Sequence, residues 1–301
     1  MLGNHIFEGT VIGSIVPVVT PVIVCIVLGA WWARSQQRFP SEFVGDLVMK
    51  IGAPALIVGT LGATELAPGA LLEVLAAAFV MLTFSAFLSA LTCKLFGWPL
   101  RDIGLPIVFG NSGNMGLPLC LFASGSDGLA LSLGIFVVFS LVHFSLGTAA
   151  LTSSMPGRAL LRSPLIWAGL LVLLMIALDL QFPLTVNNTL DILGGMAIPL
   201  MLLTLGVSLV SLRLRDSGRA LAMGLARVVT ALLAGVLTVE VLQLEGLLRG
   251  VVLLQAATPA AVFNYLLAQQ YQRSPEAVAG LVMASTLLSF VSIPLVLAYL
   301  V

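Results

Sequence analysis

Ten apolar stretches, each close to the ~20 residues that carry a helix across a bilayer, follow one another along this chain with only short polar joints between them. They lie near residues 10–32, 42–63, 70–92, 103–124, 129–151, 165–181, 190–210, 220–243, 247–269 and 277–300. Hydrocarbon offers no water to pair with backbone N–H and C=O groups, so stretches of this kind fold as membrane-spanning helices. Composition agrees. Of 301 residues, 59% are hydrophobic and 9% charged, whereas a soluble domain carries about 25% charged residues. The chain therefore reads as an all-α membrane protein whose first partner is the lipid bilayer. Its net charge of zero gives no basic surface for nucleic acid. Cys25, Cys93 and Cys120 lie in apolar stretches without metal-ligand spacing, so neither a metal nor another cofactor is expected. The segment Met1 to Gly9 has no Lys or Arg ahead of the first apolar run, which weighs against a cleaved signal peptide.

Charge sets the orientation. Numbering the spans in order, the joints after spans 1, 3, 5, 7 and 9 hold Arg34, Arg38, Lys94, Arg101, Arg158, Arg162, Arg213, Arg215, Arg219 and Arg273, ten of the thirteen basic residues. The opposite joints hold Glu65, Asp127 and Glu245, with Arg249 just inside span 9. The positive-inside rule then places the basic joints in the cytoplasm and both termini outside, in a plasma membrane of the bacterial inner-membrane kind. Trp31, Trp32, Trp98 and Trp167 all fall at the cytoplasmic boundary, where amphipathic rings anchor helices.

Two spans cannot be continuous helices. Span 4 carries Gly110-Asn111-Ser112-Gly113-Asn114-Met115-Gly116-Leu117-Pro118, and span 9 carries Gln255-Ala256-Ala257-Thr258-Pro259 with Asn264 beyond. Glycine and proline free backbone groups that lipid will not satisfy, so such breaks survive only inside protein or along a cavity. Paired broken helices in the two halves of a chain point to a transporter's substrate site. Asn111, Asn114, Gln255, Thr258 and Asn264 can donate hydrogen bonds there without a costly charge, and half-helix N-termini favour an anion. The competing reading is that the small residues serve close helix packing alone, which leaves the clustered amides unexplained.

The halves also share a trace of duplication. Asp46-Leu47-Val48 begins eight residues before Pro54, and Asp191-Ile192-Leu193 begins eight residues before Pro199. Thr60-Leu61-Gly62 and Thr204-Leu205-Gly206 follow at nearly the same distance. Five spans per repeat force the second copy to insert upside down, so spans 4 and 9 enter from opposite sides and cross near the midplane. Residues 1–151 form the first repeat, 152–164 a cytoplasmic linker and 165–301 the second repeat.

At these residues the chain resembles the auxin efflux carrier family, which includes the plant PIN carriers and bacterial dicarboxylate permeases of the malonate-carrier type. Gly110 to Leu119 is similar to that family's fourth-span motif. Thr258-Pro259-Ala260-Ala261-Val262, then Leu267-Ala268-Gln269-Gln270-Tyr271 and Pro275, is similar to its ninth span and the start of its tenth. Trp31-Trp32 closing span 1 and Pro54-Ala55-Leu56 in span 2 extend the match. The resemblance implies two inverted five-helix repeats with broken crossover helices 4 and 9, an architecture related to bile-acid carriers and cation antiporters. It implies a scaffold of spans 1, 2, 6 and 7 and a transport domain of spans 3–5 and 8–10, moving as an elevator within a homodimer. It maps the crossover prolines onto Pro118 and Pro259 and the carboxylate-binding asparagine onto Asn111, with Ser112 and Gly113 beside it. The long cytoplasmic loop of many plant members is absent, since only Thr152 to Pro164 joins the halves.

Charged groups inside spans are functional candidates by default. Arg227 in span 8 could serve as counter-ion to a substrate carboxylate or snorkel to the interface. Lys50 has Asp46 four residues earlier as a partner, and Glu73 and Glu240 lie near span ends. His143 could titrate in a proton-coupled cycle or be a hydrogen-bonded interior histidine. An enzymatic reading also exists, because Gly110-Asn111-Ser112-Gly113 fits the Gly-x-Ser-Gly pattern of intramembrane serine proteases, with His143 on the next span. A sodium- or proton-coupled carrier of the bile-acid or antiporter fold is a third, although Asp102 and Asp127 fall outside the break. The expected function is carriage of a small organic anion, a mono- or dicarboxylate such as malonate or malate or an auxin-like acid, rather than catalysis.

Overall fold

The computed structural model describes residues 11–35, 37–63, 68–143, 145, 149, 163–178, 180–212 and 217–300. The segment Met1 to Gly9, Glu65, the end of span 5, the linker from Thr152 to Arg162 with Arg158, and Arg213 and Arg215 lie outside these residues.

A mean hydropathy of +1.14 leaves the backbone one economical way to satisfy itself, and helices dominate the described chain. The first are α1 (Val11–Arg34), α2 (Ser41–Leu47), α3 (Ala53–Ala63) and α4 (Pro68–Phe96). They are followed by α5 (Leu105–Val108), α6 (Leu117–Val142), α7 (Pro164–Leu178), α8 (Leu184–Gly195) and α9 (Ala197–Ser211). The last are α10 (Ser217–Leu242), α11 (Gly246–Ala256), α12 (Val262–Gln270) and α13 (Pro275–Leu300). Wider π-type turns cover Val48–Gly52, Leu100–Gly104 and Ser112–Gly116. Seven helical stretches among the described residues are long and apolar enough to cross a bilayer, and Pro164–Met175 and Gly246–Ala256 are shorter apolar helices.

One of the seven, Ser112–Val142, doubles back on itself. Ser124 (φ −143°, ψ 15°) and Gly125 (φ 65°, ψ −154°) leave the helical region, and the positive φ is one that glycine adopts without a Cβ penalty. The Cys120 side chain is hydrogen-bonded to Ser132, whereas twelve residues of straight helix would hold them about 18 Å apart. Gly113 likewise lies under the Phe136 ring, where a Cβ would come within 2.8 Å. The helical stretches before and after this reversal, up to Val142, are thus antiparallel limbs.

Packing falls into two groups. α1 lies along α9, and α3 lies against α7 and α8. α10 lies along α13 and α4, while α6 packs on α4 and α11. The α1–α9 contact is backbone to backbone: a Cβ on Gly29 would strike the Leu203 carbonyl, and one on Gly206 would strike that of Ile26. Where α3 meets α8 and α9, Gly52 faces Ala197 and Gly194 faces Leu56, so the stretches that follow the two matched Asp motifs pack on each other. The exterior is as apolar as the interior. Leu72, Phe87, Leu95, Leu184, Ile192 and Leu295 are exposed, as are Trp31, Trp32 and Trp167. A surface of this kind suits lipid rather than water, and the molecule is an integral membrane protein.

Lys50 pairs with Asp46 at 2.5 Å, as their spacing on one helix face predicts. Glu73, Glu240 and Asp127 are exposed.

Candidate functional site at the helix crossing

The two interrupted stretches meet. α5 ends at Val108, residues 109–111 are unwound, and a π turn at Ser112–Gly116 leads into α6. α11 ends at Ala256, residues 257–261 are non-helical, and α12 begins at Val262. Gly110 and Ala260 form an isolated antiparallel bridge. The Asn111 N–H donates to the Pro259 carbonyl at 2.7 Å, and the Ala261 N–H donates to the Phe109 carbonyl at 3.1 Å. Each unwound segment thus satisfies backbone groups of the other, as a helix break at membrane depth requires.

The prolines play different parts. Pro259 lies inside the break, where its carbonyl serves as an acceptor. Pro118 stands in the first turn of α6, directly after the π turn and outside the unwound residues. The break in the first half is therefore narrower than the run from Gly110 to Pro118 suggests, because helical turns resume at Ser112.

Side chains complete the crossing. Asn264 Nδ2 donates to the Phe109 carbonyl at 3.0 Å, and Thr258 Oγ1 donates to the Gln255 carbonyl at 2.7 Å. Gln255 Nε2 donates to Ser132 Oγ at 2.7 Å, and its Oε1 has no partner among the described residues. The Gln255 amide lies so close over Gly116 that a Cβ there would collide with it. Asn111 is 4% exposed, and its Nδ2 has no partner among the described residues either. Ser112, Gly113, Pro118 and Pro259 are buried, and Asn114 is half-buried. His143 is buried with its ring stacked on Phe109 at 4.1 Å between centroids, and it interacts with the Asn264 amide. Arg227 is buried, and its guanidinium donates to the carbonyls of Ile107 (2.6 Å), Val108 (3.2 Å) and Thr258 (3.1 Å). The structure therefore brings Asn111, Gln255, Thr258, Pro259, Asn264, Arg227 and His143 to one crossing.

Sequence reading passes over three contributors. Phe109 supplies the carbonyl shared by Ala261 and Asn264 and the ring under His143. Ser132 holds Gln255, and Ser285 Oγ accepts the Ala260 N–H at 3.1 Å. The available signal is slight, a serine on an otherwise apolar helix.

An apolar exterior around paired broken helices, with polar donors and acceptors buried at their crossing, defines a polytopic membrane protein with a polar centre. The family model described as membrane transport protein, that of the auxin efflux carriers, matches residues 149–297, and over those residues the chain is similar to this family. It is also similar to an uncharacterized transporter of Methanothermobacter thermautotrophicus, 32% identical over 196 residues. That match covers 64% of this chain and 62% of the relative, so the chain aligns with under two thirds of its relative's length. Both comparisons point to a transporter and not to an enzyme, which removes the serine-protease reading of Ser112 and His143.

Proposed function

We propose that this protein is a secondary carrier of small organic anions, a mono- or dicarboxylate such as malonate or malate or an auxin-like acid, and that the helix crossing binds the substrate carboxylate. The observation that carries this reading is the Asn111 amide, buried at the crossing with a donor that finds no acceptor among the described residues. A buried unpaired donor costs about 1–3 kcal/mol, and a carboxylate oxygen would relieve that cost. Ser112, Gly113, Asn114 and Pro118 would line the site from one segment, and Gln255, Thr258, Pro259 and Asn264 from the other. Two N-terminal half-helix ends, at Ser112 and Val262, would favour the anion.

The architecture proposed with it is two inverted five-helix repeats, 1–151 and 165–301, with both termini outside. Support comes from the packing. Exchanging the repeats turns the α1–α9 contact into the α7–α3 contact, and it maps the α3–α8, α4–α10 and Gly110–Ala260 contacts onto themselves. α1–α3 and α7–α9 would be the scaffold, and α4–α6 with α10–α13 an elevator-like transport domain, in a homodimer. A second reading, coupling to protons or sodium as in bile-acid carriers and antiporters, is favoured by the burial of His143 against Phe109.

Uptake of labelled malonate and malate into proteoliposomes tests the site. Asn111→Ala and Pro259→Ala are each expected to abolish uptake while the protein stays folded. Wild-type rates in both would sink the crossing as substrate site. For coupling, uptake by His143→Gln that no longer responds to an imposed pH gradient would favour the second reading.

A further inference from the structure

Four half-helix ends meet at the crossing, and the protein treats the two kinds differently. α5 and α11 end there by their C-termini, whose last carbonyls lack intrahelical donors and carry partial negative charge. Arg227 reaches in from α10 and is 1% exposed. Nη1 donates to Ile107 and Val108 at the end of α5, and Nη2 donates to Thr258 just beyond the end of α11. Nε is the one guanidinium nitrogen without an acceptor among the described residues. The space for this group is made by Gly110, where a Cβ would collide with Nη2 and stand 2.7 Å from Thr258 Oγ1. Among the described residues no Asp or Glu is buried, so no carboxylate neutralises the opposite, N-terminal ends.

We infer that Arg227 is a positioning residue, a fixed cation that neutralises the C-terminal ends of both half-helices and holds the two unwound segments in register. The N-terminal ends are left as the poles that meet an anion. Only that last step rests on the carrier reading above, since the clamp itself is a matter of the protein's own carbonyls. A cation in this role acts on every substrate alike. A counter-ion to a second substrate carboxylate would instead distinguish dianions from monoanions.

The test is a comparison of Gly110→Ala, Arg227→Met and the double variant by thermal melting of the purified full chain in detergent. Each single variant should lower the melting temperature, and the double should lose less than the sum of the two, because the added Cβ then still meets Thr258 Oγ1 but no longer the guanidinium. Additive losses would overturn the clamp. Where Arg227→Met does not fold, Arg227→Lys carries the test, since it keeps the charge at the C-terminal ends. Its uptake of acetate and of malonate should fall by the same factor, retaining at least a tenth of the wild-type rate with the ratio of the two KM values unchanged. A tenfold rise in KM for malonate alone would overturn the proposal in favour of a counter-ion. If the wild type takes up neither acid, it is the carrier reading that fails, and the melting comparison decides the clamp by itself.

Discussion

The main-chain N–H of Asn111 donates to the Pro259 carbonyl at 2.7 Å, joining segments 148 residues apart in the chain. The bond belongs to the backbone, so the Asn111 side chain can be changed without cutting it. Structure and binding are thus separable at this residue.

A bound carboxylate should therefore stabilise the wild type and not Asn111→Ala. A ligand that binds only the folded state adds about 2.7 kcal/mol at a concentration 100 times its Kd. A thermal-shift screen across mono- and dicarboxylates is expected to find acids that raise the wild-type melting temperature, with the rise lost in the variant. Equal shifts in both would mean that the amide makes no contact with the ligand.

The backbone contact of α1 with α9 makes a sharper stability forecast. Gly206→Ala drives a methyl into the Ile26 carbonyl, and overpacking of this kind costs about 1–3 kcal/mol. Gly45→Ala is the matched control, because a Cβ there meets nothing within 4 Å. Melting temperature should fall for the first and hold or rise slightly for the second.

Asp102 ties two chain segments at one end of the crossing. Its Oδ2 accepts from Ser274 Oγ at 2.6 Å, and Arg273 lies 4.0 Å from Oδ1. Asp102→Ala removes an acceptor for both, and the joint between α12 and α13 should exchange amide hydrogens faster. Deuterium uptake across residues 271–276 that matches the wild type would show that the tie holds nothing.

Ser112 should not react as a nucleophile. A fluorophosphonate probe is expected to leave the purified protein unlabelled, while covalent modification at Ser112 would reopen the hydrolase reading. Mass spectrometry of the intact chain reads the result directly.

Much of the site could be read in the sequence, and what could not has a common cause. The amides of Asn111, Gln255 and Asn264 stand out because an uncharged polar side chain beside glycine or proline is rare in an apolar span. Arg227 also stands out, yet its partners do not. They are main-chain carbonyls of Ile107, Val108 and Thr258, up to 120 residues away, and every residue carries a carbonyl. A counter-ion role and a clamp role therefore look alike in sequence. The reversal at Ser124 and Gly125 falls where the span 103–124 ends, at the Ser-Gly-Ser-Asp-Gly run that interrupts the apolar sequence.

The sequence by itself determined that this is an integral membrane protein of helices, and that two of them break. Those properties follow from local chemistry, the apolar length of each stretch and the backbone demands of glycine and proline. The tertiary structure decided that the two breaks pair with each other, that Pro118 opens a helix whereas Pro259 sits in a gap, and that Arg227 spends its charge on helix ends. These depend on which groups meet across 31 or more residues of chain, a relationship that no local pattern encodes.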